Sequence, residues 1–344
     1  MQSSSASPDR ITDPVTGFAY PGPWIAACSD EEGLDLVRAG LAVLTSSGMI
    51  LRRGYTTGTT AAACCKAATL SLAEVPGKVS VLTPSGIRVC VPVEATCGIA
   101  SCFKYPGDYP GDATAGIQFI AECNPADNGI SLYPGEGIGR FTRDTPRNRK
   151  GDPAISFPAL SCILAAIQEG LETTGLPGAS IHLRVPRGEI VAKDTLNPKL
   201  GIEGGISILG TTGLVEPWDD HLTKTVMERV RTADRVVLTT GRTGLRYARL
   251  LFPGYEAVLA GSHLREALGE VKGQVILCGL PALILKFLDP EILSMTGFDT
   301  VEEFTTRPEF RARMQASFLK GKEQYPRLRV VIVDRNGTIM GDSG

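Results

Sequence analysis

The C-terminal third of the chain alternates between apolar runs and helical segments. Continuous apolar runs occur at 235–240, 256–260, 274–279 and 328–333, and helices are predicted at 222–231, 243–251, 263–270, 281–288 and 308–322. Strands that have no polar face and are separated by helices are typical of a parallel sheet covered on both faces. The pattern over residues 218–344 therefore predicts a small, doubly wound α/β domain.

The middle of the chain has a different pattern, of short alternating segments broken by proline and glycine. Strands are predicted at 79–82, 87–93, 116–122 and 130–135, and helices at 60–73 and 160–173. This alternation indicates a largely antiparallel or mixed sheet. It predicts an α+β domain with a mixed sheet over residues 49–217, with a boundary near 215–220.

Residues 1–48 are expected to form an N-terminal extension. Its first 30 residues or so are polar and rich in serine, proline and glycine, so they are expected to wrap the surface or to be disordered. An apolar stripe then predicts a helix over residues 30–45.

The composition narrows the classes of function. A formal net charge of -2 over 344 residues gives no argument for binding nucleic acid or an anionic membrane surface. No apolar run approaches the roughly 18–20 residues that span a bilayer, and the N-terminus lacks the pattern of a secretory signal, so a cytoplasmic location is expected. The nine cysteines form no C-x-x-C pair and there are three histidines, so no protein-held metal is expected.

The segment NPKLGIEGGISILGTTG (197–213) surrounds one short apolar run with glycines. A glycine cluster means either a turn, a strand and another turn, or a wall of backbone amides around a ligand. The segment lies at the predicted junction of the two domains, where small-molecule sites are common. The binding candidates here are Asn197, Gly204, Gly205, Ser207, Gly210, Thr211, Thr212 and Gly213.

Two further loops precede predicted helices. The loop GYTTGTT (54–60) offers hydroxyls and amides at a helix N-terminus, which suits a polar ligand; the alternative is a single threonine cap. Its candidates are Tyr55, Thr56, Thr57, Gly58 and Thr59. The loop TTGRTG (239–244) follows the first apolar run of the second domain, and Thr240 and Gly241 are candidates because ligands bind at the carboxyl ends of such strands. The loop at 54–60 lacks the lysine of a phosphate-binding P-loop, which argues against nucleotide hydrolysis, and TTGRTG is not a G-x-G-x-x-G motif. Short connections with glycine are common, so the alternative for TTGRTG is an ordinary turn.

Charged candidates lie in two more loops. Asp108 and Asp112 in YPGDYPGD are either turn formers or site carboxylates. Arg140 belongs to a basic loop that is either a solvated surface or a site for carboxylates, which arginine binds through paired hydrogen bonds.

Five segments together carry a family resemblance. They are GYTTGTTAAACCKAA (54–68), YPGDYPGDATAG (105–116), PGEGIGRFT (134–142), GDPAI (151–155) and LNPKLGIEGGISILGTTGLVEP (196–217). In this order they resemble the cobalt-precorrin-5B (C1)-methyltransferase family of the anaerobic cobalamin pathway, over roughly residues 49–280. The resemblance implies an α+β N-terminal domain followed by a Rossmann-like α/β C-terminal domain.

The resemblance also implies a reaction and its partners. The implied activity is methyl transfer from S-adenosylmethionine to carbon C1 of a cobalt-containing, ring-contracted tetrapyrrole, so cobalt belongs to the substrate. A carboxylate such as Asp108, Asp112 or Glu216 would then orient the cofactor or remove a ring proton, and Arg140 would meet substrate carboxylates. Neither nucleic acid nor membrane is implied, and a homo-oligomer is left open.

The chain departs from the family pattern at several positions. Thr60 stands where the family has cysteine, Gly111 is an apparent extra residue, and 280–284 lacks the family's histidine and Gly-Lys pair. Two alternatives therefore stand beside the methyltransferase. One is a tetrapyrrole-binding protein without methyl transfer, and the other is an enzyme that methylates a different modified tetrapyrrole.

Overall fold

The computed structural model of the chain describes residues 10–109, 111–145, 148–217 and 226–344. Two five-stranded sheets dominate the fold, one between residues 94 and 184 and the other between residues 235 and 342. Among the described helices, none combines the length and the apolar character needed to cross a membrane.

The described N-terminal residues wrap over the second sheet and have a small core of their own. The elements are α1 (Gly22–Ala27), α2 (Glu31–Arg38), β1 (Ala42–Leu44), β2 (Ile50–Arg52) and β3 (Gly54–Tyr55). Ile11, Tyr20 and Leu34 are buried together with β1. The ring of Phe18 lies 5.9 Å from that of Tyr247 in the C-terminal part of the chain. Residues 1–9 are outside the described ranges.

The single helix predicted for residues 30–45 is wrong in its second half. Helix α2 begins as expected, because the Asp30 side chain accepts a hydrogen bond from the backbone N–H of Gly33. The helix ends at Arg38 because Gly40 adopts a positive φ of 74°, which a helix cannot continue through. Residues 42–44 then form β1, which pairs antiparallel with β2 and is buried on both faces.

The α+β part of the chain is built around a mixed sheet, as the alternating pattern predicts. Its elements are α3 (Thr57–Leu70), β4 (Lys78–Leu82), β5 (Arg88–Pro92), β6 (Glu94–Thr96), β7 (Ile99–Phe103), β8 (Gln118–Pro125), β9 (Gly129–Pro134), β10 (Gly137–Ile138), β11 (Arg140–Phe141), α4 (Phe157–Thr174), β12 (Gly178–Arg184), α5 (Gly188–Ala192), α6 (Asn197–Leu200), β13 (Ile202–Glu203), β14 (Gly205–Ile206) and β15 (Leu214–Val215). The sheet order is β6-β7-β8-β12-β9, in which only the β12–β9 pair is parallel.

Helix α3 lies against this sheet and against α4, and all of its residues are buried. Most of its residues are alanine, glycine, threonine or cysteine, which are small. The sheet and α4 can therefore both pack closely against the helix. The helix begins three residues before the predicted start, because the Thr56 hydroxyl accepts a hydrogen bond from the Thr59 N–H at 3.2 Å. Helix α4 agrees with the predicted 160–173 segment, extended by three residues at its start and one at its end.

The C-terminal part contains the second five-stranded sheet. Its elements are α7 (Val226–Thr232), β16 (Arg235–Thr239), α8 (Arg242–Leu251), β17 (Glu256–Leu259), α9 (Leu264–Glu270), β18 (Gln274–Gly279), α10 (Pro281–Leu288), α11 (Val301–Phe304), α12 (Glu309–Gln324), β19 (Leu328–Val333) and β20 (Ile339–Asp342). The order is β17-β16-β18-β19-β20, with the first four strands parallel and β20 antiparallel. The predicted helix 222–231 starts in residues outside the described ranges, and strand β20 is an addition to the predicted set.

Candidate functional site

The threonine-rich loop at the start of α3 is fastened to the glycine-rich segment far along the chain. The Thr57 hydroxyl donates to the carbonyl of Ser207 at 3.0 Å and accepts from the N–H of Leu209 at 2.8 Å. The Thr59 hydroxyl donates to the carbonyl of Gly213 at 2.7 Å. The threonine-rich loop and the glycine-rich segment therefore form one junction.

Three glycines of this junction serve contact within the protein. A methyl group on Gly58 would approach the carbonyl oxygen of Leu209 to 2.8 Å, and one on Gly210 would approach the Thr56 hydroxyl to 2.5 Å. Gly213 has a φ of 82° and packs against Thr83. Real side chains almost never come this close, so glycine is required here by the packing alone. The hydroxyls of Thr57 and Thr59 are also used by the junction.

Asn197 and Ser207 belong to a second buried network beneath this junction. The Ser207 hydroxyl donates to the Asn197 side-chain oxygen at 2.9 Å, and the Asn197 amide donates to the Gly205 carbonyl at 2.9 Å. Gly204 next to it is exposed and has open space around it. Thr211 is also exposed, and the half-buried Thr212 hydroxyl donates to the Leu214 carbonyl at 3.2 Å.

Arg140 lies on the exposed side of the same region. Its guanidinium donates to the backbone carbonyls of Gly151 and Pro134, both at 3.0 Å. These bonds hold the basic loop in place and leave the positive charge without an acidic partner among the described residues. The exposed position agrees with both interpretations of this arginine, a solvated surface loop and a site for carboxylates.

The three candidate carboxylates have different surroundings. Asp108 is exposed, and one of its oxygens accepts from the Arg52 N–H at 2.7 Å. The Asp112 side chain is buried and forms an ion pair with Lys104, while its other oxygen accepts two hydrogen bonds from Thr114. Glu216 is paired with the buried Arg53 at 2.8 Å. Asp112 and Glu216 therefore already have cationic partners, whereas Asp108 has none within the described residues.

A pocket of about 520 Å³ lies where the start of the threonine-rich loop meets the aspartate motif. We call it the aromatic pocket and define it by six of its lining residues: Arg52, Tyr55, Cys90, Phe103, Lys104 and Tyr105. Asp108 lies next to this pocket, because its carboxylate accepts a hydrogen bond from the backbone N–H of the lining residue Arg52. Asp112 also lies next to it, because its carboxylate forms an ion pair with the lining residue Lys104. A pocket of this volume is in the normal range for small-molecule sites.

Sequence reasoning selected Tyr55 and the two neighbouring aspartates but missed most of the aromatic pocket. Arg52 precedes the threonine-rich loop by two residues, and Tyr105 begins the aspartate motif. Arg52 lies close to a predicted binding loop and Tyr105 lies within a predicted motif. Closeness in sequence to predicted site residues is therefore the signal that could have identified both. Cys90 and Phe103 come from strands β5 and β7, and only the fold brings them to this place.

Thr240 and Gly241 lie elsewhere, at the carboxyl end of β16 and the start of α8. No described residue makes a hydrogen bond with the Thr240 side chain, and a methyl group on Gly241 would meet nothing within 4 Å. The first turn of α8 has no side-chain cap. This loop keeps its polar groups available, in contrast to the loop at the start of α3. Groups of three or more metal-ligating side chains are absent from the described parts of the chain.

Acid should remove the contribution of the Lys104–Asp112 ion pair. Burial by itself raises the pKa of Asp112, but the charge and hydrogen bond of Lys104 outweigh it and hold that pKa below its usual value of 3.8. A lowered carboxyl pKa stabilises the fold above the unfolded value, and this contribution is lost as pH falls through the folded pKa. We expect Asp112→Asn to be about 3 kcal/mol less stable than wild type at pH 7, and the difference to shrink below about pH 3.8.

Urea unfolding of both proteins at pH 7 and pH 3 measures this difference. Asp108→Asn is the control, because its carboxylate is exposed in the same loop and has no ion pair among the described residues. Equal destabilisation by Asp112→Asn at the two pH values would contradict the ion-pair explanation.

The structure is a mixed α and β protein with two five-stranded sheets, and it carries a pocket of small-molecule size. Comparison with known proteins shows which of them this chain resembles. The CbiD family model matches residues 44–217. A protein of Methanoregula boonei named cobalt-precorrin-5B C(1)-methyltransferase is 56% identical over 333 residues, covering 97% of this chain and 100% of the relative. A protein of the same name from Methanospirillum hungatei is 55% identical, over 97% of this chain and 100% of that protein.

A solved structure is also similar. The crystal structure of the cobalamin biosynthesis protein CbiD from Archaeoglobus fulgidus superposes with a TM-score of 0.55 and 36% sequence identity, covering 94% of this chain and 100% of that one. The chain therefore belongs to the CbiD family. The resemblance carried by the five sequence segments is confirmed.

Proposed function

We propose that this chain is a cobalt-precorrin-5B C(1)-methyltransferase that uses S-adenosylmethionine as the methyl donor. The observation that carries the proposal is that relatives of this name align with at least 96% of the chain at 54–56% identity. The departures from the family pattern within 280–284 do not interrupt that alignment. A binding protein without methyl transfer is therefore the less supported alternative.

The chemistry of the chain agrees with direct transfer between two bound reactants. Methyl transfer to an electron-rich ring carbon needs the reactants held close and in line, and it needs no nucleophilic side chain. Burial raises the pKa of the Cys278 thiol to about 12, and burial together with Glu169 raises that of Cys162 to about 11. These thiols stay neutral and unreactive at neutral pH.

The loop at the start of α8 is the proposed donor site. The chain leaves β16 for β17 on one side, and β18 lies on the other side of β16, so the carboxyl ends of β16 and β18 border a topological switch point. This order supports the Rossmann-like description of the C-terminal domain. Gly244 lets α8 approach β18, since a methyl group there would lie 3.0 Å from the Cys278 carbonyl oxygen.

The residues of this loop fit the polar end of the donor. The uncapped N–H groups of α8 suit the carboxylate of the methionyl group, and the Thr240 hydroxyl offers a further hydrogen bond. The space above Gly241 admits the ligand close to the backbone. When bound, S-adenosylmethionine supplies an electrophilic methyl group. The loop's part is to hold and orient the donor.

Asp108 is the best-placed of the three candidate carboxylates for moving a proton. A base must be accessible and must have a free acceptor, and Asp108 is exposed with one oxygen unbonded among the described residues. Asp112 and Glu216 are already paired with Lys104 and Arg53, so their carboxylates are less available to accept a proton from the substrate. We assign these two to positioning the loops around the site.

The proposed compartment is the cytoplasm and the proposed partner is the tetrapyrrole. All nine cysteines are free thiols, and Cys90 and Cys97 are exposed, which suits a reducing environment. The domain division at residues 48/49 and 217/218 also stays a prediction.

Incubation with cobalt-precorrin-5B and labelled S-adenosylmethionine tests the activity directly. Mass analysis should find one added methyl group, and a product of unchanged mass would overturn the proposed function.

Gly241→Asn tests the donor site separately. Asparagine is a good helix cap, so α8 should be preserved, but its side chain would occupy the amides that the donor needs. We expect the Kd for S-adenosylhomocysteine to rise about 10- to 100-fold, since hydrogen bonds to a charged group are lost. Gly254→Asn in the turn that follows α8 is the control, because a methyl group there also meets nothing within 4 Å. Wild-type affinity in Gly241→Asn would remove this loop from the donor site.

A further inference from the structure

We propose that the aromatic pocket binds the tetrapyrrole, with Tyr55, Phe103 and Tyr105 against the macrocycle and Arg52 paired with one of its carboxylates. The inference rests on the proposed function and assigns the substrate to one place in the α+β domain. Arg52, Phe103 and Tyr105 thereby become determinants of substrate binding.

The walls of the pocket suit a flat conjugated ring. The rings of Tyr55 and Tyr105 lie 5.6 Å apart at 57° and form one aromatic corner. Phe103 and Tyr105 are 55% and 38% exposed, so both present ring surface to an incoming ligand. Aromatic faces offer a large apolar contact area and stack readily on other π systems.

The Arg52 guanidinium suits an anionic group on the ligand. The Lys104 charge is balanced by Asp112, whose carboxylate lies behind the wall. Arg52 is exposed, and its guanidinium forms no hydrogen bond or ion pair with the residues that the structure describes. Guanidinium groups bind carboxylates through paired hydrogen bonds, and the substrate class carries several acetate and propionate groups.

The same charge disfavours the methyl donor in this pocket. A sulfonium cation gains no stabilisation beside the Arg52 guanidinium, whereas a carboxylate that reaches the guanidinium does. The proposed donor site is a different loop, at the start of α8. A volume of about 520 Å³ in an open pocket accommodates one edge of the macrocycle and leaves the remainder of the ring outside.

Cysteine labelling tests the placement without depending on turnover. Cys90 lines the pocket and Cys97 lies in the β6–β7 turn, and both thiols are exposed. Mass spectrometry would follow iodoacetamide modification of the wild-type enzyme with and without cobalt-precorrin-5B. We expect the substrate to slow modification of Cys90 about tenfold or more at saturation and to leave Cys97 unchanged. Protection of Cys90 by S-adenosylhomocysteine in place of the substrate would overturn the assignment.

Two variants test the contacts. Arg52→Gln and Tyr105→Ala should each raise the Kd for cobalt-precorrin-5B about tenfold and leave the Kd for S-adenosylhomocysteine unchanged. Arg311→Gln is the matched control, because Arg311 is exposed on α12 and has no partner among the described side chains. If wild type methylates the substrate while both variants bind it with wild-type affinity, the pocket assignment is wrong and the proposed function stands. If the wild-type protein neither binds nor methylates cobalt-precorrin-5B, the pocket assignment and the proposed function are both wrong.

Discussion

Replacing Arg53 with methionine should lower the free energy of unfolding by about 3–5 kcal/mol, the typical cost of breaking a buried ion pair from one side. The Arg53 side chain is fully buried, with the carboxylates of Asp13 at 2.7 Å and Glu216 at 2.8 Å. It also donates to the backbone carbonyls of Gly40 and Ala42. The substitution would leave the 1%-exposed Asp13 carboxylate without its cation.

The size of this effect follows from what Arg53 connects. Asp13 accepts a bidentate pair of bonds from the guanidinium, at 2.9 and 2.7 Å, and belongs to the N-terminal segment. Glu216 is the second-last residue of the glycine-rich motif at 196–217. Burial by itself raises the pKa of Asp13, but the Arg53 hydrogen bond and charge outweigh it and hold that pKa below its usual value. One cation therefore fastens two distant segments of the chain.

Urea denaturation checks this prediction, with Arg38→Met as the control. Arg38 forms an exposed ion pair with Asp35, and exposed pairs contribute about 0–1 kcal/mol. The double variant Arg53→Met with Asp13→Asn should recover part of the loss, because the stranded carboxylate is removed as well. Equal stability of Arg53→Met and Arg38→Met would show that the buried pair contributes no more than a surface pair.

The elements that the sequence predicts best are those whose evidence is local. Strand 274–279 and helix 281–288 have the predicted ends, because a continuous apolar run and the proline after it carry the necessary information within a few residues. The mixed sheet of the α+β part is also predicted, since period-two alternation is visible along each strand. The helix predicted over residues 30–45 fails because its apolar spacing fits a helix, while Gly40 breaks it.

The candidate site is less predictable because its contacts join distant residues. The sequence predicts ligand contacts for glycine and threonine residues at 56–59 and at 204–213, but these residue types alone do not separate ligand binding from packing. The structure shows that Thr57 bonds to a segment 150 residues away, and that Gly58 and Gly210 lie against other parts of the chain. Arg53 and Asp13 carry no local signal of their pairing. The aromatic pocket is likewise assembled from separate strands and loops.

Gly204 and Gly205 are adjacent, but glycine serves a different purpose at each position. At Gly205 it avoids a collision with a neighbouring backbone, whereas at Gly204 it permits a positive φ. A methyl group on Gly205 would lie 2.1 Å from the backbone carbonyl atoms of Gly137, with which it pairs in the β10–β14 ladder. Gly137 cannot retreat, because it has a φ of 72° and packs against the backbone of Val185. We therefore expect Gly205→Ala to destabilise the protein by more than about 3 kcal/mol, the upper end of ordinary overpacking.

Gly204→Ala is the control for this prediction, since the two glycines are adjacent. Gly204 has a φ of 78° but nothing within 4 Å of an added methyl group, so alanine there adds backbone strain of about 1–2 kcal/mol and no collision. Chemical denaturation of both variants gives the comparison, and failure of Gly205→Ala alone to unfold cooperatively would agree with it. If the two variants unfold at the same urea concentration, contact between the Gly137 and Gly205 backbones is not what fixes glycine at position 205.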